Sequence, residues 1–224
     1  MDLIYLLLDE KKQESLVLKG ENFKYLVKVR RHSVEDIISI RYKEDIKELC
    51  RYKIVSIDGR SLSLELIASE INEVKSKKPL HIGWCKIDIK SIEKVLPSLS
   101  EIGVEKISFI SCDRSQNIKL DFKRFERILE ASMQQCGRSS YIEFDTYKNI
   151  EEFISKYPDT KVFDFCENSL KDGSGFERVL IGSEGGFSQD EKEFLSTQEV
   201  FKLDTPMVLR SESAVVAVAS KIVL

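Results

Sequence analysis

The sequence predicts an α/β domain preceded by a small, mostly β domain. Three observations carry this. After Pro79, strand-like apolar runs alternate with helical periodicity, the pattern of a parallel sheet with helices on both faces. Before Pro79, apolar residues alternate with period two and few helical signals interrupt them. Near the C-terminus, Val179-Leu180-Ile181 reads as a buried strand that stops at Gly182, runs into a glycine loop and restarts at Ser188 as a capped helix.

In order, Ser15–Leu18 and Ile37–Ile40 read as strands. Ile54–Ile57, the turn Asp58-Gly59 and then Leu62, Leu64 and Leu66 read as a hairpin. One short helix, from about Asn22 to Val29, interrupts them. The polar, lysine-rich stretch Asn72–Pro79 reads as a linker and divides the chain into residues 1–73 and 74–224. Beyond it, strands are expected at Leu80–Cys85, Lys106–Ser111, Tyr141–Phe144, Lys161–Phe165, Arg178–Ile181 and Val200–Leu203. Asp121–Cys136 is the clearest helix. It carries Phe122, Phe125, Leu129, Met133 and Cys136 near one face, and Gly137 is its stop. Trp84 reads as a core residue of its strand. The last helix, Ser211–Leu224, is apolar almost all round after its first turn, apart from Ser220 and Lys221. Such a helix is buried on several sides, so a second subunit or the chain itself must cover it; both accounts fit.

The loop after Ile181 holds three of the ten glycines, in a G-x-x-G-G spacing. A strand–glycine loop–helix unit brings bare backbone up to a ligand at the carboxyl end of a sheet. Phosphate is disfavoured here, because Glu184, Asp190 and Glu191 crowd the helix start with negative charge and no Gly-Lys-Ser/Thr follows. A neutral or positive ligand fits; the alternative is a tight turn with no ligand.

Acidic and basic residues nearly balance, with a formal net charge of -3. This argues against a protein that coats nucleic acid non-specifically, and permits a local basic face. Cys50, Cys85, Cys112, Cys136 and Cys166 are scattered without a C-x-x-C pair, and only His32 and His81 accompany them. No metal ligand set is assigned, and reduced thiols in a cytoplasmic protein are the expectation. Neither histidine is given a role. The apolar run Met1–Leu8 is too short and acidic for a signal peptide. Ala214–Val223 is too short to span a bilayer.

Several segments, in order along nearly the whole chain, resemble the RsmE family. Ile181–Ser188 is similar to its G-P-E-G-G-F-S motif, and Leu209-Arg210-Ser211-Glu212-Ser213-Ala214 to its L-R-T/A-E-T-A motif. Ser100-Glu101-Ile102-Gly103-Val104 resembles the end of its K-A-T-E-L-G-V stretch. Asp113-Arg114-Ser115 and Gln135-Cys136-Gly137-Arg138 follow. Leu26–Arg31 resembles its h-L-x-x-V-L-R segment, with Asp36 where the family often has G-D. The sequence departs from the pattern at Ser183, where proline is usual and whose loss is expected to loosen the loop. It also departs at Ser98, where lysine is usual, and at Asp204–Met207, where a glycine- and arginine-containing stretch is usual.

The resemblance implies methylation of N3 of a uridine in small-subunit (16S) ribosomal RNA with S-adenosylmethionine. It also implies a homodimer and a PUA-like β-barrel RNA-binding domain joined to a SPOUT domain with an α/β trefoil knot. The positive sulfonium of that cofactor agrees with the acidic loop. Backbone groups of the loops Ile181–Gly186, Leu203–Thr205 and Val208–Ala214 are expected to hold it, among them Ile181, Gly182, Glu184, Gly185, Gly186, Leu203, Thr205, Val208, Leu209, Ser213 and Ala214, with Phe165 and Cys166 lining the pocket. Uridine N3 must lose its proton to become nucleophilic, so a guanidinium that steadies the resulting anion is needed. Arg210 is the candidate, with Glu212 as proton acceptor or organiser; a capped helix start with a local ion pair is the plainer account of both. Lys24, Lys28, Arg30 and Arg31, with Arg114 and Arg138, are expected to meet RNA phosphates, against the plainer account of solvated charges. Two other functions stay open: methylation of a different RNA, and non-catalytic RNA binding during ribosome assembly.

Overall fold

The computed structural model describes residues 4–171 and 175–224. The start of the apolar run Met1–Leu8 lies outside them. The chain divides into two compact units, one of Met1–Val74 and Met133–Ser140, the other of Lys75–Ser132 and Tyr141–Leu224.

In the first unit, period-two sequence becomes a five-stranded sheet. The elements are β1 (Leu6–Leu8), β2 (Ser15–Lys19), α1 (Gly20–Phe23) continuing into a π-helical turn (Lys24–Val29), β3 (Ile37–Tyr42), β4 (Asp45–Asp58) and β5 (Ser61–Ile71). The strand order is β1-β3-β4-β5-β2. All neighbours are antiparallel except β1 and β3. Leu16, Leu18, Ile38, Ile40, Ile54, Leu62 and Leu64 point to one core, closed by Phe23 and Leu26 of the helical segment. Tyr42 and Tyr52 are buried there with their hydroxyls 2.7 Å apart, and the Tyr52 hydroxyl donates to the Gln13 carbonyl at 2.6 Å, so neither polar group is orphaned. β1 escapes sequence reading because it is only 3 residues long. The hairpin arms are far longer than expected, because β-bulges near Arg51 and Ser56 break their alternation. The expected helix over Asn22–Val29 is an α turn widened to π, where the Arg30 N–H donates to the Tyr25 carbonyl.

Residues 133–140 return to this unit through specific bonds. The Tyr5 hydroxyl donates to the Arg138 carbonyl at 2.6 Å, and the Val74 N–H donates to Ser139 Oγ at 2.7 Å. A linker-based division does not anticipate such a return, since its partners are distant in sequence.

The second unit follows the expected alternation. Its elements are β6 (His81–Cys85), α2 (Ile89–Ile102), β7 (Lys106–Ile110), α3 (Phe122–Cys136), β8 (Glu143–Tyr147), α4 (Ile150–Lys156), β9 (Lys161–Phe163), β10 (Arg178–Ile181), α5 (Gln189–Phe194), a 3-10 turn (Leu195–Thr197), β11 (Val200–Phe201) and α6 (Ser211–Val223). The sheet is parallel throughout, in the order β11-β9-β10-β6-β7-β8. The order reverses direction between β10 and β6. β8 lies two residues later than expected, because pairing Ile110 with Tyr147 buries that tyrosine. Gly137 ends α3 in the left-handed region, with φ +85°. Trp84 is fully buried, stacked near Phe109, as expected for core.

α6 packs on α2 and β10, and Val215, Val218, Ala219 and Ile222 are fully buried within the single chain. The chain itself therefore covers this face, and a second subunit is not needed for it. Val216, Ala217, Ser220 and Lys221 remain half-exposed.

The expectation of reduced thiols fails at one pair. Cys85 and Cys112 form a disulfide, with Cα atoms 5.7 Å apart. They sit at the ends of neighbouring parallel strands, a proximity that a separation of 27 residues conceals.

At the amino ends of the strands, His81 is buried in a chain of hydrogen bonds. Arg178 Nε donates to His81 Nδ1 at 3.1 Å, His81 Nε2 donates to Ser108 Oγ at 2.7 Å, and Ser108 Oγ donates to the Asp145 carboxylate. With a guanidinium facing Nδ1 and Ser108 spending its proton on Asp145, the imidazole is neutral with its hydrogen on Nε2. Burial first, and the Arg178 charge second, lower its pKa to about 4.

Candidate functional site

β10 delivers Val179, Leu180 and Ile181, all buried, to Gly182 at the carboxyl edge of the sheet. From there the loop is held by hydroxyls and carboxylates. Ser211 Oγ, on the first residue of α6, donates to the Gly182 carbonyl at 2.6 Å and accepts from Trp84 Nε1 at 2.8 Å. Gly186 closes the turn onto the Ser183 carbonyl at 3.0 Å with φ +65°, a left-handed geometry that glycine adopts freely. Ser188 and Glu191 form the expected capping box. Glu191 is buried and does more: Oε2 accepts from the Ser188 N–H at 2.8 Å, and Oε1 from the Asp113 N–H at 2.9 Å.

The segment Cys112–Ser115 thus braces the glycine loop. Ser188 Oγ meets Asp113 Oδ2 at 2.6 Å, Arg114 Nη1 donates to the Gly185 carbonyl at 2.8 Å, and Ser183 Oγ donates to the Arg114 carbonyl at 2.9 Å. The expectation that Ser183 loosens the loop is corrected here. Its hydroxyl is 6% exposed and makes a bond that proline cannot make.

The glycine loop, with the loops after β9 and β11 and the start of α6, encloses a cavity of about 150 Å³. Its walls are largely apolar, and Phe165, Met207 and Val208 at its edge are 76%, 65% and 77% exposed. Large apolar side chains left open around a cavity mark a seat for a ligand or partner. Asp164, which pairs with Lys192 at 3.0 Å, and exposed Glu184 add acid to the lining, while Lys202 adds one base.

Of the residues expected at a cofactor site, Phe165, Ile181, Gly182, Glu184, Gly186, Leu203, Thr205, Val208, Leu209 and Ala214 line this cavity. Gly185 and Ser213 do not. The Gly185 carbonyl is turned to Arg114, and Ser213 is exposed on α6. Cys166 also lies off the lining, with Sγ 3.4 Å from the Asn168 carbonyl. Sequence reading missed Phe163, Asp164, Phe187, Lys202 and Met207. Ser183 and Ser211 lie within the loops expected to hold the cofactor and do line the cavity, whereas nothing in the sequence marked Met207.

Arg210 and Glu212 stand at the start of α6, outside the lining. Their side chains are 83% and 17% exposed, with Arg210 Nη1 4.0 Å from Glu212 Oε1. In the first unit, Lys24 and Lys28 are exposed on the π-helical turn and Arg31 just beyond it, and Lys24 pairs with Glu21 at 2.8 Å. Arg30 is half-buried against Tyr25. Arg114 is spent on the glycine loop, although it stays exposed. Arg138 is 5% exposed, with Nε donating to Ser140 Oγ at 3.1 Å. That burial corrects its expected role, because a side chain packed inside the unit presents no surface to a phosphate.

Comparison with known proteins gives this geometry its class. The RNA methyltransferase domain family matches residues 74–223. The Helicobacter pylori (strain ATCC 700392 / 26695) protein named ribosomal RNA small subunit methyltransferase E is 37% identical over 214 residues, covering 93% of this chain and 94% of that protein. Its Aquifex aeolicus namesake is 25% identical over 223 residues, 95% of each. Among solved structures, a ribosomal RNA small subunit methyltransferase E from Neisseria gonorrhoeae bound to S-adenosyl methionine superposes with a TM-score of 0.71 at 18% identity, covering 96% of this chain and 95% of that one. A Legionella pneumophila protein solved with bound SAM gives 0.74 at 19%, covering 98% and 96%. The chain belongs to the RNA methyltransferase family and, within it, to the ribosomal RNA small subunit methyltransferase E (RsmE) family. Its α/β fold is the fold of those structures.

Proposed function

We propose that this protein methylates N3 of a uridine in 16S ribosomal RNA of the small subunit, with S-adenosylmethionine as methyl donor. The observation that carries the reading is the cavity at the carboxyl ends of β9, β10 and β11, walled by bare glycine backbone and open apolar side chains. When bound, the cofactor supplies a methyl group carried on positively charged sulfur. The residues present fit it: Glu184 and Asp164 suit the charge, and Ile181, Leu203, Val208, Leu209 and Phe165 offer apolar walls for an adenine.

Arg210 reaches into solvent beside this cavity's helix and holds Glu212 only loosely. It is therefore available to steady the negative charge that spreads to O2 and O4 when uridine N3 loses its proton. Glu212, the less exposed of the two, accepts that proton or orients Arg210. We read residues 1–73 as a PUA-like RNA-binding domain and residues 74–224 as a SPOUT domain with a trefoil knot. Lys24, Lys28, Arg31 and Arg114 are the proposed phosphate contacts, and Arg30, pinned to the Tyr25 hydroxyl, is proposed to meet the RNA beside them. The half-exposed face of α6 supports a homodimer seam, and the site of action is the cytoplasm.

The test is a mass map of ribosomal RNA from cells lacking this protein, with purified protein and S-adenosylmethionine added back to unmodified small subunits. One 16S uridine should lose its N3 methyl group and regain it. An unchanged map would overturn the proposal.

A further inference from the structure

The first unit holds a second cavity, of about 160 Å³, that methyl transfer does not use. Tyr5, Tyr25, Arg30, His32, Ile37 and Ser39 are among its walls. Two phenol rings, a guanidinium, an imidazole and a hydroxyl converge there, a mixture unlike a packing defect, which is apolar.

These groups are held in place. The Arg30 guanidinium lies over the Tyr25 ring, 5.3 Å from its centroid, and Arg30 Nε donates to the Tyr25 hydroxyl at 2.7 Å. The pair forms a preorganised flat surface. His32 Nδ1 is engaged by Asp36 Oδ2 at 3.2 Å, and its backbone N–H by the Leu26 carbonyl at 3.0 Å. Nε2 is then the ring atom left for a ligand. Ile37, 55% exposed, offers an apolar edge.

The backbone beside the cavity is unusual in two independent ways. Lys24–Val29 is a π-helical turn, and Arg31 has φ +62° without being glycine. Both geometries cost free energy and concentrate where function requires them. Lys24 and Lys28 on the turn, and Arg31 just beyond it, are exposed.

Size narrows the ligand. A cavity of about 160 Å³ has room for one planar base. Single-stranded RNA is read through unstacked bases laid on tyrosine rings or guanidinium planes, with hydrogen bonds to their edges. We infer that this cavity receives one unstacked base of the RNA, a nucleotide other than the one methylated. The base lies against Tyr25 and Arg30, its edge faces His32 and Ser39, and the lysines hold the flanking phosphates. The inference rests on the proposed RNA substrate.

The test uses the full chain, a uridine octamer and an adenosine octamer, with binding followed by fluorescence anisotropy across a salt series. Both octamers should bind, and the uridine octamer is the probe for the variants. Tyr25→Ala and His32→Ala should each weaken it by about fivefold or more. The slope of log K against log salt should not change, because every phosphate keeps its partner. Affinity for S-adenosylmethionine should also hold. A 4-thiouridine octamer should cross-link to Tyr25 or His32. Tyr25→Leu, which keeps bulk and loses the ring, serves if the alanine variant fails to melt cooperatively. Unchanged affinity in these variants, or cross-links only outside residues 5–39, would overturn the inference. Wild-type protein that methylates small subunits but ignores these substitutions sinks the cavity alone. Wild-type protein that fails to methylate sinks the proposed function, while the octamer data still judge the cavity.

Discussion

Ser183, Ser211 and Glu191 hold the glycine loop with one or two polar atoms each, and the loop's geometry depends on them as much as on its glycines. At Gly186 an added Cβ would meet nothing within 4 Å, so the φ of +65° is the whole obstacle. Asparagine tolerates that region and β-branched residues do not. Gly186→Val should therefore lose at least about tenfold in S-adenosylmethionine affinity by calorimetry, while Gly186→Asn stays within a few-fold of wild type. Equal loss in both would show that ligand contact, not backbone, sets the requirement. His81 gives a residue-scale prediction about pH. Its folded pKa, about 4, lies below the unfolded value, near 6.5. Its contribution to stability is thus complete above about pH 6.5 and is lost as pH falls toward 4, because the unfolded chain binds the proton first. The unfolding free energy from urea titrations should fall across that window at up to about 1.4 kcal/mol per pH unit. In His81→Gln, which keeps a donor without a titrating ring, the fall should be shallower; an identical slope would remove His81 as its source.

At the scale of elements, α6 separates two effects that its sequence merges. Val218 is fully buried on its own chain, whereas Val216 is half-exposed. Val218→Glu buries an unpaired carboxylate and should unfold the second unit. Val216→Glu should keep the fold and, if this face is the dimer seam, convert the sedimenting species to monomer. Wild-type sedimentation of Val216→Glu would move the seam elsewhere. Helix periodicity identified α6 as buried on several sides but could not say by what. The answer depends on α2, which lies more than 100 positions earlier in the chain. The long arms of β4 and β5 show the same limit, since bulges shift the pattern that periodicity reads.

At the scale of the whole molecule, the proposed function divides the work between substrate and chemistry. Arg30→Ala with Arg31→Ala should weaken RNA binding, lower the salt slope by about one unit for each phosphate no longer neutralised, and leave S-adenosylmethionine affinity unchanged. Arg210→Ala should leave both affinities near wild type and slow methyl transfer by roughly a hundredfold, the scale of losing a charge-stabilising donor. Comparable damage to cofactor binding in the two variants would refute this division. No helix among the described residues is long and apolar enough to cross a membrane.

The sequence by itself determined the alternation of strand and helix after Pro79, the strand–glycine loop–helix unit at Gly182–Ser188 and the capping box that opens α5. Each is written within a dozen residues, in hydrophobic period, glycine and cap. Most of the cavity lining was legible as well, because the loops after consecutive late strands converge on one sheet edge. Only the tertiary structure decided the rest. It joined Cys85 to Cys112, buried Arg138, turned Gly185 away toward Arg114 and placed the Ser211 hydroxyl between Trp84 and Gly182. Each of these depends on which side chains meet across a large sequence separation. That is fixed by sheet order and packing, which local periodicity does not encode.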